Sequence, residues 1–311
     1  MAERKSREEK MSDIQEKILE GTKQIFESDK YKEAIATFSR FPHYSINNCI
    51  LIASQRPDAS YVCGFKKWKE FNRSVNRGEH GIMIIAPVKV KADCEEQVYD
   101  AENKLVRGED GKPVTETVTR EFQSYRPAYV FAYEQTNGEP LPTLATQLTA
   151  NVEDYGVLKD ILMEVAPVPI TFEPIKGETN GYFSPGEQRI VVKENLPELQ
   201  TIKTMIHEIA HATLKHGSEE DKWDRETKEV QAESVAYWVT QLLGMDTSEY
   251  SFYYIGGWSK DKEVPELKEH LELIKTTADQ LSKDIEKKLE ERQQLDQEQS
   301  ASVERSISHH R

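Results

Sequence analysis

At 311 residues, 37% apolar and 31% charged, the chain is long enough for two modest domains or one large one with appendages. Its polarity predicts solvated segments beside true cores. It has no run of 18 apolar residues, and its first residues, MAERKSREEKMSDIQEKI, lack the apolar centre of a signal peptide; both argue against a membrane span or export signal. The net charge of −14 is uneven, with 17 Lys/Arg against 12 Asp/Glu in residues 1–91 and 24 against 43 in the remainder, so one basic module can sit within an acidic protein.

Residues 1–10 are charged and expected to fray. From Met11, the apolar positions Ile14, Ile18, Leu19, Ile25 and Phe26 predict a helix, and Ile46, Cys49, Ile50 and Ala53 predict a second over 45–54, stopped by Pro57. Cys49, Cys63 and Cys94 form no CxxC pair, which predicts reduced thiols in a cytoplasmic protein. Residues 56–91 carry Arg56, Lys66, Lys67, Lys69, Arg73, Arg77, Lys89 and Lys91 against Asp58, Glu70 and Glu79, interleaved with Tyr61, Phe65, Trp68 and Phe71. Phe65, Trp68 and Phe71 suggest a short helix, 77–81 a turn and 82–90 an apolar strand. The stretch can be a single-strand nucleic-acid groove, with cations on phosphates and aromatics on bases. It can equally be Trp68 and Phe65 in a core beneath a solvated basic face, and composition alone favours this second reading.

Residues 93–126 are acidic and polar, with a turn at 108–113, and predict an exposed β-ribbon or insertion with no assigned chemistry. A strand is expected at 128–133 and a Pro/Gly-containing linker at 137–150. The second half predicts a helix near 152–166, a short strand at 170–172, and a hairpin from 181–183 and 189–192. A helix from Leu196 and another over 228–243 follow. Leu267, Leu271, Ile274, Ala278, Leu281 and Ile285 then form a stripe suited to a docked helix. After about Gln293 the chain is polar and expected to be disordered, with His309 and His310 as tail residues.

The helix from Leu196 contains His207-Glu208-Ile209-Ala210-His211. Histidines four residues apart share a helix face, so both imidazoles can reach one Zn²⁺, with Glu208 beside it as general base. A zinc hydrolase needs a third protein ligand. The next helix offers Glu229 and Glu233 on one face, among apolar Val230, Ala232, Val235, Ala236 and Val239. Glu229 is assigned as ligand and Glu233 as the partner that fixes a histidine tautomer; spacing also allows the reverse. His216 falls off the shared face and reads as surface. Gly181 to Phe183 could form an edge strand for an extended peptide. Tyr237, Tyr250, Tyr253 and Tyr254 are undiscriminated candidates for stabilising an oxyanion.

The segments "YVCGFKKWKEFNRSVNRGEHGIMIIAPV" and "AYVFAYEQTNGEPLP" resemble the N-terminal domain of ArdC-type antirestriction proteins. "HEIAHATLKH", "EVQAESVAY" and "YIGGW" look like the zincin-type metallopeptidase domain of that family, which is similar to the ImmA/IrrE metallopeptidases. The resemblance covers roughly residues 11–260. It implies an α+β ssDNA-binding domain and a zincin-like α+β metallopeptidase domain; with the linker, stripe and polar tail read above, the organisation becomes 1–136 for the first domain, a linker over 137–150, 151–260 for the second, and a long charged C-terminal helix with a disordered tail over 261–311. The resemblance further implies Zn²⁺ as cofactor, and single-stranded DNA and an unidentified protein or peptide substrate as partners, with no membrane. The implied role is protection of incoming DNA from restriction during transfer of a mobile element. Residue by residue it supports His207, Glu208, His211 and the Glu229/Glu233 pair for metal chemistry. For DNA it supports the region of Lys66, Lys67, Trp68, Lys69, Arg73 and Arg77, and so shifts the reading of 56–91 towards DNA binding. The acidic excursion at 93–126 and the length of the last helix are departures from the family pattern. A binding protein with structural zinc, or a regulatory peptidase that cleaves a repressor, are the alternatives.

Overall fold

Helix α1 (Arg7–Ile25) starts earlier than its apolar spacing suggests, because Ser6 and Glu9 close a reciprocal cap. Ser6 Oγ accepts from the Glu9 N–H at 3.1 Å and the Glu9 carboxylate accepts from the Ser6 N–H at 2.6 Å. A computed structural model describes residues 6–100, 102–108, 110–141, 155–245, 250, 252 and 254–308. Helix α2 (Ser28–Ser39), absent from the sequence reading, buries Tyr31, Ala34, Ile35 and Phe38. Helix α3 (Ile46–Gln55) follows its Ser45 cap as expected.

After strand β1 (Val62–Cys63), helix α4 (Phe65–Glu70) and strand β2 (Arg73–Val75) come two long strands, β3 (Ile82–Gln97) and β4 (Thr115–Ala132). They pair antiparallel without interruption from Ile82↔Val130 to Gln97↔Thr115, so the apolar strand and the acidic excursion are one continuous ribbon. β1 pairs with the other side of β4, giving the order β1–β4–β3, and β2 pairs with β5 (Thr136–Gly138). The open edge of β3 is closed at its root by α3. The Asn48 amide exchanges two hydrogen bonds with the Ile85 backbone, both 2.9 Å, and Gln55 does the same at Met83. Side-chain amides thereby satisfy backbone groups that an edge would leave unpaired.

The second half contains α5 (Tyr155–Val165), β6 (Ile170–Glu173), β7 (Gly181–Ser184), β8 (Arg189–Lys193), α6 (Glu198–Thr213), α7 (Arg225–Leu242), α8 (Ile255–Ser259) and α9 (Val264–Ser308). The architecture is α+β. The sheet order is β6–β8–β7, with β6 parallel and β7 antiparallel to β8, so β7 is an edge. α9 docks through Leu267, Leu271, Ile274, Ala278, Leu281, Ile285 and Leu289, all buried. The expected disorder after Gln293 is corrected: the helical backbone continues to Ser308, over a run without Gly or Pro that is rich in helix-forming residues.

One apolar cluster joins the two halves. Tyr31 Oη lies 2.7 Å from Ser234 Oγ on α7, and the Phe26 and Tyr31 rings meet Trp258 and Phe252 at 5.8 and 5.1 Å between centroids. The expected linker begins inside β5, and its residues 142–150 lie outside the described residues, as do 152–154 of the helix expected at 152–166 and the histidines at 309 and 310. Among the described residues no helix is long and apolar enough to cross a membrane.

Candidate functional site

Helix α6 buries Ile202, Met205, Ile206, Ile209 and Ala210, which turns His207 and His211 together towards α7. Their Nε2 atoms are 3.1 Å apart. α7 is started by Asp224, whose carboxylate accepts the Thr227 N–H at 2.7 Å, and its buried face sets Glu229 and Glu233 against the same histidines. Glu229 Oε2 lies 3.5 Å from His207 Nε2 and 3.8 Å from His211 Nε2, whereas Glu233 Oε2 lies 3.2 Å from His207 Nδ1. His207, His211 and Glu229 therefore offer three ligand atoms within 4.8 Å of one another. Tetrahedral bonds of about 2.0–2.1 Å require ligand separations of about 3.3 Å, so these residues fit one metal ion. Glu233, at the far nitrogen of His207, is in position to hold that ring.

The electrostatics follow from this packing. Burial alone would lower the His207 pKa, but the Glu229 and Glu233 carboxylates outweigh it and raise it to about 10. The two histidines hold Glu229 well below the ordinary carboxylate range. Glu208 is buried beside them and its pKa is raised, mainly by burial; His207, His211 and the Phe183 N–H on β7 oppose the shift. β7 approaches α6 closely enough that a Cβ at Gly181 would meet Thr204 Cγ2 at 2.6 Å and Glu208 Cγ at 3.4 Å, so this position suits glycine. Gly181, Lys203, His207, Glu208, Glu233 and Tyr250 line a cleft of about 300 Å³. Tyr254 lines a second hollow with Arg225 and Glu229, Tyr237 is buried against Tyr250 and Phe252, and the fourth candidate tyrosine, at position 253, lies outside the described residues.

His216 is not a surface residue. α6 ends at Thr213, Lys215 takes a left-handed φ of 56°, and the His216 N–H returns to the His211 carbonyl at 3.0 Å. Helical phase ceases to apply at this reversal, which folds the ring inward. Its Nδ1 lies 2.8 Å from His211 Nδ1 and its Nε2 2.9 Å from Gln231 Oε1. Burial pushes its pKa down to about 4. In the same connection Asp221 accepts the Gly217 and Trp223 N–H groups at 2.6 and 3.0 Å and pairs with Lys228 at 3.0 Å, fixing the approach to α7.

The basic stretch divides. Trp68 is fully buried, donates Nε1–H to the Phe131 carbonyl at 3.0 Å, and packs among the Tyr61, Phe71 and Tyr133 rings. Arg73 is buried as well. It donates to Thr136 Oγ1 (2.8 Å) and to the carbonyls of Thr136, Gly138 and Glu139, and its guanidinium lies 3.9 Å from the centre of the Tyr133 ring. The expectation that Trp68 and Arg73 contact DNA is corrected: both are internal braces of the α4–β2–β5 corner. Lys66, Lys67, Lys69 and Arg77 are exposed, with Lys67 paired to Glu70 at 2.6 Å. The sequence reading missed Tyr125 and Tyr129. Strand alternation puts them on one face of β4 with Phe131, and they are 50% and 49% exposed. Phe65, also 50% exposed, lies 6.0 Å from Phe131 at the end of this row, with Lys69 Nζ 5.5 Å over its ring.

Residues 4–131 match the family described as the N-terminal domain of anti-restriction factor ArdC, and residues 163–278 match the IrrE N-terminal-like domain of the M78 peptidases. An uncharacterized protein of Bacillus anthracis, pXO2-81, is 27% identical over 315 residues, covering 92% of this chain and 53% of that protein. The chain thus spans about half the length of this curated relative. The crystal structure of the antirestriction ArdC protein from plasmid R388 aligns in its metal-free form at 17% identity and a TM-score of 0.43, over 79% of this chain and 85% of that one. Its Mn(II)-bound form aligns at 16% and 0.43, over 78% and 84%. The two family matches thus lie one after the other along the chain, the ArdC N-terminal match first and the IrrE-like peptidase-family match second.

Proposed function

We propose that this is an antirestriction protein of the ArdC type, with a zinc-dependent peptidase centre at His207, His211 and Glu229 and a single-stranded-DNA-binding surface on its N-terminal half. The observation that carries the first part is the convergence of two imidazole Nε2 atoms and one carboxylate oxygen beside the buried Glu208. Two imidazoles and a carboxylate suit Zn²⁺. When bound, the ion would supply a Lewis acid for the peptide carbonyl and acidify the attacking water. Glu208 accepts the proton of that water and delivers it to the leaving amine. Glu233 holds the His207 ring from Nδ1. The open edge of β7 pairs with an extended peptide in the cleft. On the N-terminal half, phosphates follow Lys66, Lys69 and Arg77, and bases stack on the row of Phe65, Tyr129 and Tyr125.

The test is Glu208→Gln. The variant is expected to retain Zn²⁺ in metal analysis and to lose peptide hydrolysis by roughly 10²–10⁴-fold. Assaying the same variant for protection of transferred DNA separates the roles. Protection that survives unaltered would make the chain a DNA-binding protein with a structural metal and reject proteolysis as its biological role.

A further inference from the structure

Behind His211 runs a buried chain of polar groups that the HExxH motif does not specify. His211 Nδ1 lies 2.8 Å from His216 Nδ1, His216 Nε2 lies 2.9 Å from Gln231 Oε1, and Gln231 Nε2 lies 2.9 Å from His270 Nδ1. His216, Gln231 and His270 are 3%, 0% and 1% exposed. The Trp223 and Trp258 rings hold His270, at 4.7 and 5.0 Å between centroids. Among the described residues the far nitrogen of His270, Nε2, has no hydrogen-bond partner, and Glu266 Oε1 lies 3.8 Å away. The chain therefore runs from α6 through the following turn and α7 to α9.

Its direction follows from valence. A neutral imidazole has one N–H and one lone pair, and burial disfavours the charged form. The Gln231 amide presents its carbonyl Oε1 to His216 and its NH₂ to His270; an NH₂ group only donates, which makes His270 Nδ1 an acceptor and leaves its proton on Nε2. His216 donates from Nε2 and presents a lone pair at Nδ1. His211 must donate from Nδ1, so its Nε2, which faces His207 and Glu229, carries an in-plane lone pair. That is the tautomer a metal-binding imidazole requires.

We infer that His216, Gln231 and His270 are positioning residues that fix His211 as an Nε2 ligand, and that α9, which supplies His270, thereby contributes to metal affinity. The inference rests on the metal reading of His207, His211 and Glu229.

Two measurements on the full chain test it. In metal-free protein with ¹⁵N-labelled histidine, two-bond ¹H–¹⁵N spectra, assigned by loss of signals in His211→Gln and His216→Gln, should show His211 protonated at Nδ1 and His216 at Nε2. Zn²⁺ titrated against a chromophoric chelator should bind roughly 10–100-fold more weakly to His216→Phe and Gln231→Leu. Gln231→Glu, which keeps an acceptor towards His216, should stay within about threefold of wild type, well short of that range. Finding His211 protonated at Nε2 overturns the inference. So do wild-type affinities in His216→Phe and Gln231→Leu, or equal losses in Gln231→Leu and Gln231→Glu, which would indicate packing rather than polarity. Wild-type protein that takes up no Zn²⁺ overturns the metal reading and this inference together, whereas normal wild-type uptake with unchanged variants rejects the relay alone.

Discussion

The α6–α7 pair and the α4–β2–β5 corner both set polar groups into apolar frames, and they use those groups in opposite ways. Between α6 and α7 the Nε2 atoms of His207 and His211 and one oxygen of Glu229 face each other, with their other valences backed by Glu233 and His216. In the corner, Arg73 directs its N–H groups onto the carbonyls around β5, and Trp68 directs its own onto Phe131. The first arrangement leaves lone pairs that an outside cation can use. The second commits its donors internally, so the DNA contact proposed for that half falls to the exposed lysines, Arg77 and the aromatic row. Residue type decides less than where each donor and acceptor is already committed.

The comparison can be broken most severely at Trp68. Trp68→Ala should cost about 3–5 kcal/mol of folding stability, read as a lowered midpoint in denaturant; a variant with wild-type stability and weakened DNA binding would return Trp68 to the binding surface. His207→Ala comes next. It should reduce Zn²⁺ affinity by more than about 100-fold, beyond what loss of an outer hydrogen-bond partner gives, with circular dichroism unchanged. Retained zinc stoichiometry at micromolar metal would place the ion elsewhere.

A smaller effect should appear in acid. Burial would raise the Asp221 pKa, but the Gly217 and Trp223 N–H groups and Lys228 outweigh it and hold it at about 2, against 3.8 ordinarily. A depressed carboxylate pKa contributes stability that is complete above the unfolded value and is lost as pH falls through the folded one. Asp221 should therefore contribute about 2 kcal/mol above pH 4 that fades towards pH 2, and Asp221→Asn should flatten that limb of the stability curve. An unaltered acid limb would count against the role of Asp221 in holding the α6–α7 connection. The smallest effects on folding stability belong to the surface. Tyr129→Ala should weaken single-stranded DNA binding by about 1–3 kcal/mol. Neutralising Lys66, Lys69 and Arg77 together should reduce the slope of log affinity against log salt by roughly 2. Both leave the melting temperature unchanged, and unchanged binding in both would remove DNA from this face.

Spacing made the α6 and α7 constellation legible, because a regular helix fixes which side chains share a face. The same regularity explains its failure at His216, where Lys215 reverses the chain and phase counting ends. For α2 the signal was present: Tyr31, Ala34, Ile35 and Phe38 recur at i, i+3, i+4 and i+7. Arg73 and Trp68 could not be sorted from Lys66 and Lys69 by composition, since their partners, Thr136 and Phe131, lie some 63 residues further along the chain. Tyr125 and Tyr129 became a surface only once the register of β3 against β4 was known.

The contact of α1 and α2 with α7 and α8 has a practical consequence. A backbone cut between β5 and α5 would not release two bodies, because Phe26 and Tyr31 would still lie against Trp258, Phe252 and Ser234. A nicked chain should stay together as a non-covalent pair. The peptidase-family segment expressed from α5 onward would expose the surface that covers those residues, and should need the first sixty residues, added in trans, to stay in solution.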